Sequence, residues 1–305
     1  MALDKCRHPF YVKDYAIQVG CGQCLYCRIK KRNEWTGRLI MEKAVSSKSC
    51  FVTLTYDDAF LPIPPSLDKS ALQKFLKRLR KYSGVKIRYY ACGEYGDKKG
   101  RPHYHLIIFG MDKSQQTIKW VQEAWKFGRI SVDPADNDCI RYVAGYVTKK
   151  FSKERNELIK EGILEKEFAL MSRKPALGSA FVDKLVDFAF LQNPYDVLQV
   201  FTLGGRSFPL SRVIRNKLRD RVMTDEEKEH IKSLNIALMQ EEVLELVKEM
   251  DLLNYFDFKK RSKSDNNYDL TWSREVVGSA YLKKNYENVM SWERIFQRRN
   301  ERKDC

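Results

Sequence analysis

Between residues 28 and 150 the apolar positions fall into short runs whose period alternates between about 2 and about 3.6, the signature of strands and helices taking turns. Arg28 to Lys43 places Trp35, Leu39 and Ile40 on one helical face, with Arg28, Lys30, Lys31, Arg32 and Arg38 elsewhere. Phe51-Val-Thr-Leu-Thr-Tyr56 alternates and is β-branched, which predicts a strand. Pro62, Pro64 and Pro65 then break the chain, and Leu67-Asp68 opens a helix to Tyr82 with Leu72, Phe75, Leu76 and Leu79 at helical spacing, stopped by Gly84. Val85 to Tyr95 and Pro102 to Gly110 read as strands joined by the turn Gly96–Gly100. A helix from Ser114 to Lys126, a short strand from Phe127 to Val132 and a helix from Asp138 to Lys150 complete the order β-α-β-β-α-β-α. That order predicts an α+β fold of the split βαβ kind. Four antiparallel strands would carry two helices on one face and leave the other face free for a site.

Beyond this, residues 153–172 form a charged helical stretch, Pro175 to Gly178 a loop, and Phe181 to Leu191 a helix. A turn at 204–209 precedes the basic stretch Arg212, Arg215, Lys217 and Arg219. Residues 224–252 predict a long acidic helix with Ile231, Leu234, Leu238, Val243 and Leu246 as its apolar stripe. The chain therefore divides into a Cys-rich knuckle with a basic helix (1–45), an α+β domain (46–180) and a mainly helical C-terminal region (181–305). Hydrophobic residues make up 43% of the 305, and no apolar run approaches the roughly 18 needed to span a membrane. The first ten residues carry charge where a signal peptide would be apolar. Both features predict a cytoplasmic protein without a membrane partner. Charge sharpens the picture: residues 1–220 hold 40 Lys+Arg against 23 Asp+Glu, whereas residues 221–305 hold 16 against 17. An excess confined to the first two thirds points to a polyanionic partner there.

Three cysteines recur at CxxC steps in Cys21-Gly-Gln-Cys24-Leu-Tyr-Cys27, with Cys6 upstream. In a reducing compartment such a cluster suits metal better than disulfides. Structural zinc takes four N or S ligands, so Cys6, Cys21, Cys24 and Cys27 are the expected set, with His8 in reserve and three reduced cysteines in a turn as the bland alternative. Cys50, Cys92 and Cys139 sit singly in apolar patterns and read as core fillers.

His103-Tyr104-His105 puts two imidazoles on one face of a strand, because residues i and i+2 point the same way. A carboxylate nearby would complete a three-cornered divalent-metal site. Glu94 is the candidate if the hairpin register brings it level with His103 on the same face. Tyr142 and Tyr146 share a helical face at i and i+4, with Lys149 and Lys150 one turn on. A phenol is a weak nucleophile at neutral pH, but beside a metal and a lysine it can attack phosphorus. Exposed strand histidines and an aromatic packing stripe are the structural alternatives. Gly145 inside this helix costs roughly 1 kcal/mol against Ala, which suggests that something approaches closely there.

The stretches Phe51–Tyr56, Arg101-Pro-His-Tyr-His-Leu-Ile-Ile-Phe-Gly110 and Tyr142-Val-Ala-Gly-Tyr146-Val-Thr-Lys149 resemble the three ordered motifs of the HUH endonucleases. The resemblance is greatest to the rolling-circle replication initiators of microviruses of the gokushovirus type. It extends to Cys6-Arg-His-Pro, Cys21-Gly-Gln-Cys24 with Cys27-Arg28, Tyr90-Ala-Cys-Gly-Glu94-Tyr and Met171-Ser-Arg-Lys-Pro175, and covers residues 1 to about 180. It implies that His103, His105 and Glu94 hold Mg2+ or Mn2+. It further implies that Tyr142 or Tyr146 cuts one DNA strand to leave a 5′-phosphotyrosine and a free 3′-OH, with Lys149 stabilising the transferred phosphoryl group. Arg28, Lys30, Lys31, Arg32, Arg101 and Lys150 are then expected on the DNA. No GxxxxGK[ST] motif occurs, so unwinding would fall to a host helicase, with a host polymerase extending the 3′-OH. Two other readings stay open. One is a non-enzymatic single-stranded nucleic-acid module stacking bases on Tyr89, Tyr90, Tyr95 and Tyr104. The other is a relaxase or transposase with the same chemistry.

Overall fold

A computed structural model of the chain describes residues 6–12, 17–96, 100–145, 153–186, 200–203, 205–230 and 233. The chain divides into two units, Met1–Lys30 with Met223–Cys305, and Lys31–Val222. In the first, β1 (Phe10–Val12) and β2 (Ile17–Val19) pair antiparallel. Helix α1 (Leu25–Val45) begins in this unit and its remainder belongs to the second.

The second unit is built on β3 (Ser49–Thr55), α2 (Lys69–Ser83), β4 (Arg88–Tyr95), β5 (Pro102–Phe109), α3 (Gln115–Ala124), β6 (Ile130–Pro134) and α4 (Asn137–Gly145), the predicted order of elements. Local chemistry explains the helix limits. The Asp68 carboxylate accepts from the backbone N–H groups of Ser70 and Ala71 to start α2, and Gly84, at φ 65°, ends it. Ser114 caps α3 in the same way through Thr117 N–H.

The sheet is antiparallel throughout and runs β6-β3-β5-β4-β7, with β7 at Phe168–Met171. Cys50, Val52, Leu54, Ala91, Tyr104, Leu106 and Ile108 alternate onto one face and form the main core with Leu72, Phe75, Leu76 and Leu79 of α2 and Val121 and Ala124 of α3. Fully burying a side chain of this size stabilises by about 1.5–3 kcal/mol, so this layer dominates the fold. Beneath it the Tyr104 hydroxyl donates to the Asp68 carbonyl (3.0 Å) and accepts from Asp68 N–H (2.8 Å), tying the start of α2 to the central strand.

Four expectations are corrected. The second face of the sheet is not bare: Trp35 of α1 packs on Tyr90 with ring centroids 5.0 Å apart, Glu42 pairs with Arg88, and α4 lies against β5. Residues 153–172 are not one helix. The helix here, α5, spans Lys153–Lys160 and stops at Gly162, whose φ of 75° leaves the helical region; the chain then returns to the sheet as β7, the fifth strand. The turn at 204–209 belongs to a hairpin of β8 (Val200–Leu203) and β9 (Arg206–Pro209), and the basic stretch after it is helix α6 (Arg212–Val222). Cys50 and Cys92 are buried as expected, but Cys139 is only half-buried, in the first turn of α4, where its N–H donates to Asp136. Of the expected acidic helix, residues 225–230 are helical and all the rest except residue 233 lies outside the described residues.

Candidate active site

The β4–β5 register pairs Glu94 with His103 and Cys92 with His105, and β3 sets Thr55 opposite His103 and Thr53 opposite His105. Directly paired residues share a face, so the hairpin delivers what the sequence left open: Glu94 lies on the histidine face. One oxygen, Glu94 Oε1, stands 2.6 Å from His103 Nε2 and 2.9 Å from His105 Nε2. The glutamate is 2% exposed and His105 6%. A buried carboxylate needs compensating charge or hydrogen bonds, and here a carboxylate oxygen and two imidazole nitrogens converge on one point. The three ligand atoms lie within 4.8 Å of one another, a spacing that suits a divalent cation bound from one side.

The remaining contacts fix the rings. His103 Nδ1 is 3.1 Å from the Arg101 carbonyl oxygen, and His105 Nδ1 is 3.0 Å from Thr53 Oγ1. Phe51 stacks on His105 at 5.6 Å between centroids with the ring planes 9° apart. From α4, the edge of the Tyr142 ring approaches His105 at 5.2 Å, and its phenol O–H points to Glu94 Oε1 at 3.4 Å. Tyr142 is half exposed, so its hydroxyl joins the buried triad to solvent. A phosphodiester reaching this edge would meet the phenol and the triad together.

The structure sorts the other expected residues. Tyr146, Lys149 and Lys150 lie outside the described residues. Arg101 is held by Asp58 and by the Tyr56 carbonyl oxygen (2.8 Å), and so anchors the loop after β3 beside His103. Arg28 and Lys30 fall in the first unit, Lys31 and Arg32 in the second. Lys31 is exposed and the other three are half-buried. A Cβ added to Gly145 would meet only Arg32 Cδ, at 3.9 Å, so the glycine makes room for no close backbone approach. Tyr90, Tyr95 and Tyr104 are buried and cannot stack on bases, which removes three of the four aromatics that the binding-module reading needed. Sequence reasoning missed Thr53 and Phe51 as site residues. Their signal was the alternation of the strand, which puts 51, 53 and 55 on the histidine face once the pairing is known.

In the first unit, Cys6, Cys21, Cys24 and Cys27 form a second group, with Cys6 and Cys27 buried and all four sulfurs within 4.8 Å. The Cys6 sulfur is 3.6 Å from that of Cys27 and 3.9 Å from that of Cys24. Backbone N–H groups point at the sulfurs: Cys21 N–H to Cys6 Sγ (3.3 Å), and Gln23 and Cys24 N–H to Cys21 Sγ (3.4 and 3.3 Å). Burial pushes the Cys21 thiol up, but these backbone donors outweigh it and bring the thiol down to about 7. Burial, the largest influence on Cys6 and Cys27, raises both. His8, the reserve ligand, is exposed and outside the cluster.

Residues 49–151 match the family model for the replication-associated proteins of the ORF2 type, so the chain carries a replication-associated protein domain, and that domain contains both the triad and the tyrosine helix. Its relatives are the replication-associated proteins of microviruses. The chain is 35% identical over 161 residues to replication-associated protein ORF4 of Chlamydia phage 1, covering 46% of this chain and 40% of that protein. It is 26% identical over 294 residues to replication-associated protein VP4 of Bdellovibrio phage phiMH2K, covering 88% and 87%. It is 33% identical over 162 residues to replication-associated protein ORF2 of Spiroplasma virus 4, covering 45% and 51%. The match thus spans about half or less of the Chlamydia phage and Spiroplasma virus proteins. No solved structure matches the chain. Among the described residues, no helix is long and apolar enough to cross a membrane.

Proposed function

We propose that this protein initiates rolling-circle replication of a phage genome by nicking and rejoining single-stranded origin DNA through a tyrosine. The observation that carries the reading is the meeting of Glu94, His103 and His105 with the Tyr142 phenol, inside a domain of the replication-associated family. The donor set fits Mg2+ or Mn2+: a carboxylate and two imidazoles from one side leave positions open for phosphate oxygens. Such an ion supplies Lewis acidity to the scissile phosphate. The chain supplies the rest. The phenol oxygen of Tyr142, or of Tyr146 one turn on, bonds to phosphorus as the bond to the 3′ oxygen breaks. The phenol proton leaves and the 3′ oxygen gains one, giving a 5′-phosphotyrosine and a free 3′-OH. The energy of the phosphodiester is retained in the new ester, so a later attack by a 3′-OH reverses the step and closes a circle. Two tyrosines on one helical face suit that alternation, with Lys149 offsetting the charge on phosphorus and Arg28, Lys30, Lys31, Arg32, Arg101 and Lys150 on the DNA backbone. Strand separation and synthesis fall to a host helicase and polymerase in the host cytoplasm.

The sulfur cluster is read as a structural Zn2+ site. Zn–S bonds of about 2.3 Å in a tetrahedron set sulfurs about 3.8 Å apart, which brackets the Cys6 distances of 3.6 and 3.9 Å.

The test is cleavage of labelled single-stranded DNA from the phage's own genome. We expect a nick with Mn2+ and none with EDTA. His103→Ala/His105→Ala should cut at least about 10³-fold more slowly, since polarisation of phosphate by the ion contributes several kcal/mol. Cutting that is indifferent to EDTA and to both histidines would overturn the reading.

A further inference from the structure

A histidine binds a metal through whichever ring nitrogen carries no proton, and the hydrogen bond at the other nitrogen decides which one that is. For His103 the backbone decides. Its Nδ1 faces the Arg101 carbonyl oxygen at 3.1 Å, an acceptor only, so Nδ1 carries the proton and Nε2 faces Glu94. For His105 the group at Nδ1 is a side chain, the hydroxyl of Thr53 at 3.0 Å.

We propose that Thr53 is the positioning residue that assigns His105 its metal-binding nitrogen. Its hydroxyl oxygen accepts from Nδ1–H and leaves Nε2 bare beside Glu94 and His103. The inference rests on reading the triad as a divalent-metal site. The geometry supports it from three sides. Thr53 stands directly opposite His105 in the β3–β5 register, so the strand pairing itself sets the contact. Phe51 covers the ring face and the Tyr142 edge approaches it, so the ring is held and cannot readily turn to exchange its nitrogens. His105 is also buried, so water does not readily replace a lost partner at Nδ1.

A hydroxyl suits the position because it serves both states. When His105 Nε2 donates its proton to Glu94 Oε1, Thr53 can donate to Nδ1; when Nε2 is bare, Thr53 accepts from Nδ1–H. No buried polar atom loses its partner in either state. Valine has nearly the same shape but only methyl groups. It leaves Nδ1–H unsatisfied and favours the Nε2–H form, in which the metal's place is taken by a proton.

The experiment compares the full chain with Thr53→Val and Thr53→Ser. Free Mn2+ is titrated by electron paramagnetic resonance, and folding is followed by thermal melting. We expect Thr53→Val to bind Mn2+ about 10–100-fold more weakly, and Thr53→Ser, which keeps the hydroxyl, to bind nearly as wild type. A long-range 1H–15N spectrum of the Mg2+-loaded wild type should show His105 protonated at Nδ1, a readout that stands even if the valine variant does not fold. Wild-type affinity in Thr53→Val, equal losses in Val and Ser, or a proton on Nε2 in the loaded protein would each overturn the role of Thr53 alone. A wild-type protein that binds no Mn2+ would instead overturn the metal reading beneath it.

Discussion

Glu94 concentrates the problem that the site solves. A carboxylate at 2% exposure would be costly alone, and it is kept because two imidazoles and a phenol surround it. Tyr142 has two separable roles: its ring packs on Phe51 and His105, and its hydroxyl reaches the triad. Tyr142→Phe keeps the ring, so thermal melting should not change, while covalent DNA adduct falls and whatever remains is carried by Tyr146. Adduct at the wild-type level in Tyr142→Phe, vanishing in Tyr146→Phe, would assign the first cut to Tyr146. At this scale much was legible. Two histidines at i and i+2 announce a shared face, and the short turn after Glu94 brings it level with His103. Thr53 and Phe51 were not legible, because in an alternating β-branched run a hydrogen bond to a ligand's far nitrogen has no local signature and appears only when β3 and β5 are set in register.

The elements around the site are held by a few buried polar links. Glu42, in α1, pairs with Arg88 of β4 and accepts from Gly178 N–H at 2.7 Å. Gly178 lies on α1 so closely that a Cβ would come within 2.9 Å of the Arg38 carbonyl oxygen, and its φ of 79° further excludes other residues. Glu42→Ala leaves the guanidinium and the amide without this partner and should cost about 3 kcal/mol, read as a lower midpoint in urea unfolding; an unchanged midpoint would show that the link contributes nothing. The cysteine cluster gives a second prediction. Purified protein should contain one zinc per chain, and Cys27→Ser should lose it. Stoichiometric zinc in Cys27→Ser would exclude that cysteine as a ligand. Elements were legible where both ends carried signals, as with Asp68 and Gly84 around α2. Residues 153–172 misled because the charged helical pattern continues past Gly162. Strand β7 is only four residues long and depends on pairing with β4, along with the Tyr95 contacts to Glu165 and Glu167 just before it.

Over the whole molecule, the positive excess of residues 1–220 and the family match at 49–151 fall on the same part of the chain. That coincidence ties the nucleic-acid partner to the domain with the triad, since charge alone names only a polyanion. The four central strands and the two helices that cover their first face were legible because periodicity and turn residues agree along the whole stretch. The layer formed by α1 and α4 was not, because helix patterns do not state which face of a sheet they cover.

The central claim is a covalent tyrosine–DNA bond, and the most direct test is to find it. Protein incubated with Mn2+ and single-stranded genomic DNA is digested with nuclease and trypsin and analysed by mass spectrometry. Cleavage after Arg141 and Lys149 releases residues 142–149 with both tyrosines on one peptide. The account predicts a nucleotide remnant on that peptide, at Tyr142 or Tyr146, absent with EDTA and absent from His103→Ala/His105→Ala. Tight DNA binding with this peptide always unmodified, on every genomic segment tried, would contradict it and leave a protein that holds single-stranded DNA without cutting it.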